Sequence, residues 1–299
     1  MKKVVIPTKI LFIICVSLIM LCLICNFCYN IWFRETYLQS SSLVSLKTDV
    51  IEEINLNSGK IETRSFSANN IDLCEINLVT NGKNIFRFTD NKWIEIPISG
   101  YKIEEKPVII NDAIYFVAPD PTDTEEFPDY FIWKYQNGEI IKFHEKDLIY
   151  ASTILAYNDC LIFCEKNGYL KSNIIEKNVI TGEERKLAAG NNICWKTNGE
   201  ELFFDSPYSG LSLLNIVTGK IVTIDSDVNL LASPVYNSNE QILFIIYENP
   251  KNPFSYLSFH LGFYYLDSNK YISCWDYFEH INFAYDENTF PDLAYVYWN

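Results

Sequence analysis

Histidine and methionine are almost missing from this chain, three and two in 299 residues. His144, His260 and His280 stand far apart, and none lies near a cysteine or a second histidine at metal-ligand spacing. A His/Cys metal site is therefore not expected. There is no H-E-x-x-H, no G-x-S-x-G elbow, no phosphate-binding G-x-x-x-x-G-K-[ST] loop and no dinucleotide fingerprint. No metal, no cofactor and no catalytic residue is expected, and the reading leans away from an enzyme.

Basic residues are scarce too, 24 Lys and Arg against 38 Asp and Glu. Lys2, Lys3, Lys9 and Arg34 are the only charges in the first 34 residues, a net of +4, which leaves 20 basic and 38 acidic groups, a net of −18, on residues 35–299. A body this acidic is not built to neutralise phosphates, so nucleic acid is excluded as a partner. The acidity suits solubility of a domain outside the cytoplasm; a cationic partner or a bound divalent metal is the functional alternative. Disorder is excluded by what is abundant. Apolar residues make up 48% of the chain, with 20 Tyr, 20 Phe and 6 Trp, and aromatic and β-branched residues favour packed strands.

One apolar run is long. Ile10 to Phe33 carry no charge over 24 residues, and about 20 apolar residues in a helix cross the hydrocarbon core. The run predicts a transmembrane signal-anchor helix over 10–33, behind a short cytoplasmic segment, 1–9. Tyr29, Trp32 and Phe33 mark its distal interface, and the preceding lysines hold the N-terminus inside by the positive-inside rule. The expected localisation is the cell membrane, single-pass, with the C-terminal domain extracytoplasmic. Residues 34–47 are expected as a juxtamembrane tether and 48–299 as the ectodomain. A cleaved signal has a shorter apolar core, typically about 7–15 residues, and a small-x-small site; no such site is present. The bulky or polar residues ahead of Cys25 and Cys28 do not resemble a lipoprotein attachment site.

Nine cysteines make no disulfide framework. Cys15, Cys22, Cys25 and Cys28 lie in the apolar run, leaving five: Cys74, Cys160, Cys164, Cys194 and Cys274. An odd number cannot pair completely. Cys160 and Cys164 are four residues apart on one strand, roughly 13 Å, beyond the Cα separation of about 7 Å that a bridge tolerates. They read as small core residues.

A pattern recurs along the body: an alternating apolar run, a polar turn with Gly or Asn, and another alternating run. It occurs at 54–66, 85–97, 132–143, 175–187, 213–224 and 264–275, each a hairpin by its turn chemistry. The turn markers Gly59, Asn91, Gly138, Gly182, Gly219 and Asn269 are 42 residues apart on average, the length of a four-stranded propeller blade. A second hairpin precedes most of them, with turns at Asn111-Asp112, Asn158-Asp159, Asn198-Gly199 and Asn237-Ser238. Each of these turns leads into a strongly apolar strand, as expected of strands sandwiched between blades. The first strand of the second unit, near residues 68–97, is the least marked. At the ends, 48–66 is an outer hairpin lacking an inner pair, and 281–298 is an inner pair lacking an outer hairpin. Joined, they complete one blade.

These hairpins resemble the six-bladed β-propeller superfamily, TolB-like and related bacterial repeat domains, over residues 40–299. The chain has no WD repeat, no Y-W-T-D motif and no S-x-D-x-G-x-x-W box, so the resemblance implies a fold and no particular activity. The expected fold class is all-β: a six-bladed β-propeller of four-stranded blades, closed by C-terminal inner strands against the N-terminal outer hairpin and preceded by one transmembrane helix. Five or seven blades, and a sandwich or solenoid of similar strands, are the alternatives.

Two links between second and third strands are long. Residues 118–131 carry Asp120, Asp123, Glu125, Glu126 and Asp129; residues 247–263 carry Phe254, Tyr256, Phe259 and His260. In a ring of six they would overhang the channel from opposite sides, and long loops on rigid scaffolds are where binding resides. Carboxylates facing aromatic rings suit a sugar or a cationic peptide. The chain is thus expected to be a binding or scaffolding module at the cell surface, its partners the membrane and an envelope glycan or protein. The alternative is a glycosidase or lyase acting on envelope or extracellular polysaccharide with carboxylates drawn from different blades.

Overall fold

Turns rich in Asn and Gly cut the body into short antiparallel strands. The computed structural model describes residues 42–298 apart from 47–48, 56–60, 72, 74–75, 126–127, 149–152, 169–170, 240, 249–259 and 274–295. Asn111 and Asp112 (φ 50° and 62°), like Asn137 and Gly138 (φ 52° and 87°), put two successive residues in the left-handed region. That is the backbone of a type I′ hairpin, whose twist matches its strands. Asn178 uses its side chain instead: its Oδ1 accepts from the N–H groups of Ile180 (2.9 Å) and Thr181 (2.8 Å). Asn215 repeats the device with Thr218 N–H at 2.8 Å. Asn91, Gly138, Gly182, Gly219 and Asn269 all have positive φ; Gly59 lies outside the described residues.

The described strands form six antiparallel sheets. The first joins β1 (Ser42–Leu46), β2 (Val50–Asn55) and β3 (Ile61–Ser65); the second β4 (Leu78–Thr80), β5 (Ile85–Thr89) and β6 (Lys92–Ile96). The third holds β7 (Val108–Ile110), β8 (Ala113–Pro119), β9 (Tyr130–Gln136) and β10 (Glu139–Lys142). The fourth holds β11 (Leu155–Tyr157), β12 (Cys160–Lys166), β13 (Ser172–Asn178) and β14 (Glu184–Ala189). The fifth holds β15 (Asn191–Thr197), β16 (Glu201–Ser206), β17 (Gly210–Asn215) and β18 (Ile221–Asp225). In the sixth, β19 (Asn229–Leu230) and β20 (Val235–Asn237) share one edge of β21 (Ile242–Glu248), followed by β22 (His260–Tyr265) and β23 (Lys270–Ser273). The C-terminal β24 (Val296–Trp298) pairs with β1 in the first sheet.

Successive sheets stack face to face. Phe163 of β12 packs with Tyr115 and Val117 of sheet three, while Ile162 and Cys164 pack with Leu202 and Phe204 of sheet five. Phe203 then packs with Leu243, Ile245 and Tyr264 of sheet six. In sheet two, Phe86 joins Val44, Leu46 and Ile51 of sheet one, and Ile85 joins Ile114 and Phe116 of sheet three. Second strands are therefore buried on both sides, which explains their unbroken apolar runs. Inner strands also follow one another: β7 packs on β11, β11 on β15, β15 on β20, and β20 on β24. This is a β-propeller, and pairing of β24 with β1 joins the two ends of the chain.

That pairing differs from the expected closure. The N-terminal side supplies three strands of the first sheet instead of an outer hairpin, and the described C-terminal side supplies one, β24, at the inner edge. Residues 281–295 lie outside the described residues. The extra strand is β1, within residues 34–47 expected as a tether; the compact unit begins at Ser41. Val44 and Leu46 are buried, so SLVSL is a core strand, and its brevity made it resemble a linker. Sheet two has three described strands. No described helix is long and apolar enough to cross a membrane; the expected anchor, 10–33, lies outside the described residues. Cys160, Cys164 and Cys194 are free thiols, and Cys164 is a fully buried core residue whose thiol burial pushes up to about 12.

Two measurements check this packing. Phe163→Ala removes a ring with no exposure and should cost about 3–5 kcal/mol in urea unfolding. Ile180→Ala, at a turn residue 68% exposed, should stay within about 0.5 kcal/mol of the parent. A chain ending at Tyr295 loses β24 and should melt well below the full chain; an unchanged melting temperature would show that β24 does not close the ring.

Candidate functional site

Strands alternate in direction within each sheet, so two kinds of link emerge at one edge: those between second and third strands, and those from an outer strand to the next inner strand. The starts of the inner strands of sheets three to six gather there around a cavity of about 250 Å³. Glu105 and Lys106 enter it from ahead of β7, Thr153 from ahead of β11, and Ser233 and Pro234 from ahead of β20. The remaining wall is Leu155, Ile193, Cys194, Trp195, Ala232, Val235 and Tyr236.

Glu105 and Thr153 are both buried, and the Thr153 hydroxyl donates to Glu105 Oε2 at 2.7 Å. This hydrogen bond ties the entry links of sheets three and four together. Trp195 packs edge-on against Tyr157, centroids 6.3 Å apart, and Tyr236 against Phe203 at 5.3 Å. The two rings are thus held by core neighbours while they line the cavity. Burial pushes the Cys194 thiol up to about 11, so it is a neutral wall group at physiological pH and no nucleophile. The inlet is a mainly apolar, aromatic-walled pocket with one carboxylate among its described lining residues.

A second concavity, about 700 Å³ of open groove, lies at the same edge between sheets four and five and reaches β19. Its lining mixes polar residues, among them Asn167, Lys171, Asn173, Lys186, Asn191 and Asp205, with apolar ones such as Ala189, Pro207, Leu230 and Leu231. It shares no residue with the inlet.

The acidic link between β8 and β9 is largely engaged with itself and its neighbours. Asp120 accepts from Thr122 N–H (3.0 Å), Thr122 Oγ1 (2.7 Å) and Lys142 Nζ (3.2 Å). The Thr122 hydrogen bonds, then Lys142, hold its carboxyl below the usual range. Asp123 accepts from Glu125 N–H at 2.9 Å, and Asp129 pairs with Lys166 at 3.3 Å. Glu125 is exposed. Glu126, Phe254, Tyr256 and Phe259 lie outside the described residues; His260 begins β22, opposite Tyr247. Among the described residues no group of three or more His, Cys, Asp and Glu could hold a metal ion.

His144 is a satisfied buried histidine. Its Nε2 lies 3.0 Å from Glu165 Oε2, and Lys146 and Lys177 extend the network to Glu165 and Glu184. Burial, and then the Lys177 charge, hold its pKa below the ordinary value, so it is neutral at physiological pH.

Sequence reasoning missed Glu105, Thr153, Trp195 and Tyr236. A signal was present: Glu105, Thr153 and Ser233 each stand two or three residues before an inner strand, the same place in three repeats.

No protein-family model matches the chain, and no curated protein sequence matches it. Among solved structures it is similar to TolB from Acinetobacter baumannii, with 13% identity and a TM-score of 0.48 over 77% of this chain and 61% of that one. It is similar to a putative TolB from Agrobacterium tumefaciens, with 12% identity and a TM-score of 0.48 over 78% and 88%. Oligogalacturonate lyase from Vibrio parahaemolyticus follows, with 11% identity and a TM-score of 0.47 over 75% and 70%. This chain spans less than two thirds of the length of the Acinetobacter TolB.

Proposed function

We propose that the chain is a membrane-tethered, six-bladed β-propeller that works outside the cytoplasm as a binding module, with its ligand seated in the inner-strand inlet. The lining of that inlet carries the reading. Trp195 and Tyr236 offer rigid ring surface, which binding sites favour because it orders little on contact. Glu105 is a buried acceptor already held by Thr153, suited to fixing one polar group of a ligand. Hydrolysis of a glycoside by the usual route takes two carboxylates about 5–10 Å apart, and the described inlet supplies one. In this reading the β8–β9 link, with Asp120, Asp123, Glu125, Glu126 and Asp129, and residues 247–263, with Phe254, Tyr256, Phe259 and His260, supply further ligand contacts. The uncharged run 10–33 serves as anchor in the same reading, and the partner is an envelope glycan or protein.

The full-length chain, purified in mild detergent, is to be screened on an array of envelope glycans and peptidoglycan fragments. Trp195→Ala and Tyr236→Ala should each weaken the captured ligand roughly tenfold or more while the chain still melts cooperatively. Appearance of new reducing ends during incubation, abolished by Glu105→Gln, would replace binding with catalysis. For the anchor, the chain should stay in the membrane fraction after alkaline washing and retain residues 1–28; its release, or an N-terminus beyond residue 28, would remove the tether from the proposal.

A further inference from the structure

We infer that the groove between sheets four and five is a second binding site, separate from the inlet, and that its ligand is an acidic oligosaccharide. The groove is open, with about 700 Å³ of space, within the range of small-ligand sites. Its lining combines three properties.

The first is an exposed aromatic ring. Tyr208 is 90% exposed, the most exposed of the large apolar side chains described. It sits on the tight turn Ser206–Ser209, where Ser209 N–H donates to Ser206 O at 3.3 Å and Tyr208 N–H to Ser206 Oγ at 3.4 Å. Pro207 sets φ near the start of that turn. A ring this exposed, carried on a hydrogen-bonded turn, has no core to cover, and its face suits the C–H face of a sugar ring.

The second is a set of uncommitted amides. Asn167, Asn173, Asn191 and Asn229 all line the groove, and among the described residues their side chains make no hydrogen bond. Each amide offers both donors and an acceptor, the complement of vicinal hydroxyl groups. The asparagines of the turns, by contrast, spend their side chains on the backbone, as Asn178 and Asn215 do.

The third is charge of the minority sign. On sheets four and five, which flank the groove, Lys166, Lys177, Arg185 and Lys196 stand in ion pairs; Lys220, which forms none among the described residues, lies in the β17–β18 turn at the opposite edge. Lys171 and Lys186 line the groove and form no ion pair among the described residues. On a body whose net charge is −18, two unpaired cations on one concave surface select for an anion. A polyol with carboxylates satisfies ring, amides and lysines together.

Asp205 makes this site sensitive to pH. Its Oδ1 accepts from Leu230 N–H at 3.1 Å, but burial outweighs that bond and raises its carboxyl to about 6. The titratable groups that share the groove are Lys171 from the β12–β13 link, Lys186 from β14 and Tyr208 from the β16–β17 turn; the walls from β15 and β19 contribute Asn191, Asn229, Leu230 and Leu231, none titratable. Above about pH 6 the Asp205 carboxylate opposes an anion. Below it the groove keeps two positive charges and loses its negative one, whereas sugar carboxylates stay ionised.

The test uses the full-length chain in mild detergent with two probes: a hyaluronan hexasaccharide, which alternates carboxylated and neutral sugars, and the neutral chitohexaose. Calorimetric titration at pH 7.5 and pH 5.5 should show the acidic hexamer binding roughly tenfold or more tightly than the neutral one, and several-fold more tightly at the lower pH. Tyr208→Ala, and Lys171→Gln with Lys186→Gln, should each remove most of that affinity. These are exposed positions, so a circular-dichroism melt should be unchanged. Asp205→Asn keeps the acceptor for Leu230 and should bind equally at both pH values. Trp195→Ala, in the inlet, should leave the affinity untouched. Equal binding of the two hexamers, absence of binding, or loss through Trp195→Ala with none through Tyr208→Ala would each overturn the inference. Only the last of these would transfer the ligand to the inlet.

Discussion

Phe163 packs on sheet three while its neighbour Ile162 packs on sheet five, and this division of one strand between two interfaces recurs around the molecule. Ile85 and Phe86 divide in the same way between sheets three and one, and Phe203 and Phe204 between sheets six and four. A strand apolar on both faces is satisfied only between two other sheets, so each sheet needs a neighbour on either side. A row of such sheets would leave an unburied face at each end. Bringing the ends together removes both, and β24 on β1 joins them.

The same constraint decides where polar chemistry can lie. Both faces of the second strands are filled, with Tyr115, Phe116, Phe163, Phe203 and Phe204 all having almost no exposure. Outer strands meet solvent and carry charge, as Glu184, Arg185 and Lys186 do on β14, which also guards that edge against pairing with another chain. Between these limits only strand ends and links remain. Glu105 with Thr153, and Asp205 with Leu230 N–H, both sit at such ends, where a buried polar group finds a partner from the next sheet. Each pair joins two successive repeats, so the links that line the inlet and groove are held rigid by the bonds that satisfy their own polar atoms.

Both concavities open at the edge where the outer-to-inner links arrive, yet they differ in chemistry. The inlet is walled by residues that begin the inner strands, which are apolar because they pack on one another. The groove lies farther out, where successive sheets diverge and polar side chains can line a gap without losing water. Position relative to the inner strands thus separates an aromatic pocket from a polar one within a single face.

Hairpins, their turns and the repeat length could be read from the chain because they rest on local rules: period-two alternation, and Asn or Gly where φ must be positive. Asn91, Gly138, Gly182 and Gly219 carry positive φ as their surroundings imply. The propeller followed from counting those hairpins. The closure did not follow in detail, because SLVSL at 42–46 is too short to distinguish a strand from a linker until β24 and β2 flank it. Site residues were least legible. Length alone singled out the β8–β9 link, and two of its carboxylates, Asp120 and Asp129, prove to be engaged with Thr122, Lys142 and Lys166. Glu105, Thr153, Trp195 and Tyr236 come from repeats tens of residues apart; Glu105 and Thr153 share a place just ahead of an inner strand, which is visible only when repeats are compared. Turn chemistry and alternation act within a few residues, so the amino-acid order determined strands, hairpins and repeat; the inlet and the groove exist only where separate sheets meet, and stacking of those sheets decided them.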